Sequence, residues 1–89
     1  MQRQLEMGSE KMTKLEYTKC EKLLDEAIEY AIDANDKFTV AAKHPNATER
    51  EILLNTAHNH RGYAEGINQA LAIIGFKHER MSELGKLIS

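Results

Sequence analysis

Apolar residues recur three and four apart through two long stretches of this chain. The first stripe is Tyr17, Cys20, Leu24, Ala27, Ala31, Ala34, Phe38 and Ala41. Unbroken alternation of threes and fours is the period of a helix packed as in a coiled coil. Asp25, Glu26, Glu29, Asp33 and Asp36 fall on the other side and read as a solvated acidic face. The second stripe is Leu53, Ala57, His60, Ala64, Ile67, Leu71 and Ile74. A companion line runs beside it: Ile52, Thr56, Asn59, Tyr63, Gly66, Ala70 and Ile73. No stretch alternates with period two, so the pattern predicts helices and no strands.

Boundaries follow from local signals. Pro45 disfavours helix at the residue before it and divides the helical stretches. Thr13-Lys-Leu-Glu16 has the spacing of a capping box. Thr48-Glu-Arg-Glu51 has it too, with Asn46 to Glu49 as an alternative start. Gly75 marks the end or a bend of the second helix. The chain therefore reads as one helix from Thr13 to Lys43, a second from Thr48 to Ile74, and an amphipathic tail over 77–89. In that tail Met81, Leu84, Leu87 and Ile88 are placed to cap a bundle or to swap onto a neighbour. Residues 1–12 differ in character. Gly8-Ser9 suggests an expression scar or a flexible N-terminus, with Met12 as a natural start.

Two helices of similar length joined by a short connection form an antiparallel hairpin. The expected fold is an all-α two-helix hairpin with a short C-terminal helical segment. The two lines on the second helix cover about half its circumference, more than the stripe of somewhat over ~100° that an ordinary amphipathic helix needs. One neighbouring helix leaves the second line in water. We therefore expect a homodimer or a larger bundle.

The middle of the packing face is polar. With the turn near Pro45, Thr56 lies opposite about Asn35 and His60 opposite about Ala31. Asn35, Thr56, Asn59, His60 and Tyr63 then converge. Such a cluster is either a sealed hydrogen-bond network that fixes register, or a ligand pocket between helices. Asn59, His60, Arg61 and Tyr63 are the candidate ligand-binding residues. Arg61 is the cation suited to phosphate or carboxylate, unless it pairs with Glu65 four residues on. Gly62 and Gly66 form a bare patch beside them, read as a close subunit contact or as backbone open to a ligand.

Composition narrows the function classes. At 89 residues the chain is one domain with a modest core. A net charge of −2, evenly mixed, argues against a nucleic-acid polymer and against an anionic membrane surface. The single Cys20 allows no internal disulfide, reads as a small core residue and fits a reducing cytoplasm. His58 and His60 face different ways, so no metal or cofactor is expected. The acidic pairs Glu26/Glu29 and Asp33/Asp36 have a faint likeness to the motifs of all-α nucleotide pyrophosphohydrolases. Here they share one helix and face solvent, which leaves that activity a distant third reading.

The second helix, REILLNTAHNHRGYAEGINQALAII, resembles the helical-hairpin domain of phage anti-CBASS cyclic-nucleotide sponge proteins. Arg50-Glu51 at its start, Thr56, Tyr63 and Gln69-Ala70-Leu71 carry the resemblance. It covers this helix alone, and no family binding residue maps onto His60 or Arg61. The resemblance implies an oligomer of hairpins that holds nucleotides between its chains without chemistry. The expectation is a non-enzymatic, self-associating hairpin that sequesters a small anionic or nucleotide ligand. The rival is a protein-interaction adaptor with a purely structural polar core.

Overall fold

The computed structural model describes residues 12–89. Three helices and no strand make up the described residues: α1 over Lys14–Lys43, α2 over Ala47–Ile73 and α3 over Met81–Ile88. The reading of residues 1–12 falls outside them except at Met12, which packs against the core.

α1 begins at the capping box. The Thr13 hydroxyl accepts from the Glu16 amide at 3.0 Å, and the Glu16 carboxylate accepts from the Thr13 amide at 2.9 Å. These bonds satisfy two donors that a helix start leaves without partners. At the other end Pro45 holds His44 extended, with ψ 128°, and α1 stops at Lys43. Asn46, not Thr48, caps α2; its side chain accepts from the Glu49 amide at 2.9 Å. The link between the helices is tied twice through His44. Its Nδ1 accepts from the Asn46 amide at 3.2 Å, and its carbonyl accepts from Arg50 at 2.7 Å.

α2 ends in a Schellman turn. Gly75 has φ 79°, the left-handed conformation that favours glycine. The Phe76 amide reaches back to the Leu71 carbonyl at 2.9 Å, and the Gly75 amide to Ala72 at 3.1 Å. The hydrophobic contact that accompanies this motif is present, because Phe76 and Leu71 are both buried in one cluster. The turn thus carries Phe76 into the core, a position outside both predicted stripes.

α1 and α2 lie side by side in opposite directions. Tyr17 meets Phe76, Tyr30 meets Tyr63 and Phe38 meets His58. Where they pack, α1 buries Ala27, Ala31, Ala34 and Ala41, and α2 buries Ala57 and Ala64. Alanine on both sides permits the close end of helix spacing, about 8 Å. No polar or charged residue is buried among those described. Within the single chain the polar middle is therefore not sealed, and two of its members have other surroundings. Asn35 donates to the Leu87 carbonyl at 3.1 Å, and His60 is only half-buried.

α3 folds onto its own chain. Leu84 is 0 % exposed, and Met81, Leu87 and Ile88 pack against the same cluster. Both of its ends are held. Before it, His78 meets Glu21 at 3.1 Å and Arg80 meets Asp25 at 2.8 Å. At its C-terminus, Asn35 and Arg61 donate to the carbonyls of Leu87 and Ile88, which lack partners within the helix.

Candidate functional site

α3 covers one side of the helix pair. On the other side lies an aromatic ledge. The Tyr30 ring stands edge-on to Tyr63 at 4.6 Å and to His60 at 4.9 Å. Edge-to-face geometry sets the positive rim of one ring against the negative face of the next. His60 Nδ1 lies 2.6 Å from the Asp33 carboxylate, whose other oxygen accepts from Lys37 at 2.8 Å. A shallow groove of about 590 Å³ opens here, lined by Glu26, Glu29, Tyr30, Asp33, Lys37 and His60.

The four predicted residues do not form one cluster. His60 and Tyr63 meet through Tyr30, and Asn59 is exposed on the companion line. Arg61 points elsewhere. Its guanidinium donates to the Ile88 carbonyl at 2.6 Å and to Glu65 at 3.2 Å. Residues two apart on a helix do not share a face, so Arg61 and Tyr63 serve opposite sides of α2. Thr56 is half-buried, and Gly62 and Gly66 are exposed.

Five groove residues lay outside the sequence-based site: Glu26, Glu29, Tyr30, Asp33 and Lys37. Asp33 and Lys37 carry a legible signal, since opposite charges four apart on a helix meet. Two members of the supposedly solvated acidic face work across helices, Asp33 with His60 and Asp25 with Arg80. The groove sets three carboxylates against one lysine. Its field therefore favours cationic or neutral groups over anions. Among the described residues, no three His, Cys, Asp or Glu side chains stand together as a metal would require.

Asp33 titrates below the usual aspartate range, chiefly because it accepts from Lys37 and secondly from His60. A depressed folded value stabilises the fold above the unfolded-state value, about 3.9, and that stabilisation is lost as pH falls through the folded value. The stability gap between the native chain and Asp33→Asn is thus expected to be full near neutrality and to close below about pH 4. Urea melts across that range measure it. A gap that persists to about pH 2 would assign the effect to something other than this carboxylate.

No family model matches this chain, and no curated protein or solved structure matches it. Among the described residues, no helix is long and apolar enough to cross a membrane.

Proposed function

We propose that this chain is a non-enzymatic binding module, a helical hairpin that self-associates and acts through the assembled surface. One observation carries the reading: the companion line on α2 lies in water. Ile73 is 83 % exposed, Ile52 59 % and Tyr63 44 %, and Asn59, Gly66 and Ala70 are exposed between them. Single exposed apolar residues are ordinary on any protein. Here Ile52, Tyr63 and Ile73 share one helix line at coiled-coil spacing, with only the half-buried Thr56 and the exposed Asn59, Gly66 and Ala70 between them, and such a line marks a contact surface. Light scattering in the micromolar range tests the reading. A dimer or larger species is expected, and a folded monomer would overturn it.

A second reading, sequestration of a small nucleotide-like ligand, draws support from the Tyr30–Tyr63 ledge. A base stacked on such a ledge gains roughly 1–3 kcal/mol. The same groove's carboxylates oppose a phosphate, and Arg61 is engaged by the tail. The adaptor reading, in which the assembled surface recruits a protein, is therefore better supported than capture of an anion. Native mass spectrometry separates the two. A retained small molecule supports sequestration, and a ligand-free oligomer supports the adaptor.

A further inference from the structure

The bare patch on α2 has no explanation within one chain. Gly62 and Gly66 lie in the interior of a long helix with ordinary negative φ. Each glycine there costs about 1 kcal/mol relative to alanine. A Cβ built on either one meets nothing within 4 Å. Neither backbone conformation nor packing within the chain calls for glycine at these positions. A backbone approaching from outside does.

We propose that this backbone belongs to a second copy of the chain, whose α2 lies antiparallel across the first with the two-fold axis at Tyr63. The proposal rests on the self-association argued above and names its geometry. The companion line reads nearly the same in both directions about Tyr63. In the antiparallel pairing Ile52 of one copy meets Ile73 of the other, Thr56 meets Ala70, Asn59 meets Gly66, and Tyr63 meets Tyr63. Isoleucine fills both ends. Between the ends and the axis, Thr56 faces the smaller Ala70 and Asn59 the smaller Gly66, which is how facing layers interdigitate without voids. A parallel pairing sets Gly66 against Gly66 and Asn59 against Asn59, so that the small residues share one layer and the larger ones another and no longer face each other across the contact.

Charge selects the same direction. The companion line itself carries no charge. Glu51 lies exposed at its N-terminal end. Past its C-terminal end lies Lys77, and because Tyr17 of α1 packs on Phe76, the N-terminal part of α1 lies at that end too. There Lys19, Lys22, Leu23 and Glu26 line an exposed hollow with two cations to one carboxylate. An antiparallel partner brings its Glu51 to the end that carries Lys19, Lys22 and Lys77, twice over by symmetry. A parallel partner sets like charges together. Helix dipoles also favour the antiparallel arrangement.

Two single-residue variants test the geometry, both at residues exposed in the single chain: Ile52→Lys and Ile73→Glu. Each variant alone is expected to be monomeric by sedimentation where the native chain is dimeric. An equal mixture is expected to re-form a dimer, because one contact becomes a Lys–Glu pair and the symmetry-related contact keeps its two isoleucines. The mixture should bind about tenfold or more tightly than either variant with itself, less so at high salt. If both variants are monomeric and the mixture stays monomeric, the antiparallel register is wrong while self-association stands. If the variants alone remain dimeric, the interface lies on another face and this proposal fails. A monomeric native chain overturns both this proposal and the reading it rests on.

Discussion

Leu84→Ala is expected to lower the stability of the fold by about 2–5 kcal/mol, the range for truncating a fully buried leucine. α3 spans only Met81–Ile88. An isolated helix shorter than about 12 residues is marginal in water, so tertiary contact must hold α3 in place. That contact centres on Leu84, which lies at 0 % exposure in the cluster with Leu24, Ile28, Leu71 and Phe76. The Arg80 ion pairs at the start of α3 are exposed, and surface ion pairs contribute only about 0–1 kcal/mol each, while the two hydrogen bonds at its end contribute about 1–3 kcal/mol each. They aim the segment; the leucine anchors it. A domain of this size has roughly 5–10 kcal/mol in all, so the substitution removes a large part of it. Urea unfolding measures the change, and amide exchange over 81–88 reports whether α3 is released first. A change under about 1 kcal/mol would show that the site collapses around the gap and that α3 is dispensable to the core.

The repetitive features of the fold were readable from the chain; the singular ones were not. Of the first stripe Cys20, Leu24, Ala27, Ala31, Ala34 and Ala41 are buried and Phe38 is half-buried. Of the second Ala57, Ala64 and Leu71 are buried and Leu53, His60 and Ile67 half-buried, while the end positions Tyr17 and Ile74 are exposed. Periodicity reports a face, and a helix has only one direction in which to bury it. Ile28 and Phe76 escaped for different reasons. Ile28 lies beside the main stripe and is 2 % exposed in the cluster that holds Leu84 of α3. Phe76 follows a helix end, where periodicity stops and turn chemistry takes over; Gly75 was the available signal.

The polar middle shows the same division. The hairpin register placed His60 near Ala31, within one helical turn of its partner Asp33. Register alone does not say which flank of a helix a third element will cover. α3 takes the flank that carries Asn35 and Arg61, so those two side chains cap its carbonyls and leave the predicted cluster. His60 and Tyr63 are left on the open side with Tyr30. No local pattern announces that choice, because it depends on contacts between residues 27 and 52 positions apart.

Tyr63→Glu is expected to weaken self-association by about a thousandfold or more, which corresponds to roughly 4 kcal/mol. The proposed axis passes at this residue, so one substitution places two carboxylates against each other. Each unpaired carboxylate moved from water into an apolar contact costs several kcal/mol, and like charges in contact add to that. The effect on the single chain should be far smaller. Tyr63 is 44 % exposed there, and its main contact within the chain is the edge-on pairing with Tyr30. Such a pairing is worth about 0.5–1.5 kcal/mol. The variant should therefore remain helical and unfold cooperatively while sedimenting as a monomer. Tyr63→Phe keeps the ring and should keep the dimer. Sedimentation and circular dichroism on the three proteins separate loss of assembly from loss of fold. A helical Tyr63→Glu protein that still dimerises in the micromolar range would place the contact away from α2's companion line, because no arrangement centred on that line leaves residue 63 in water.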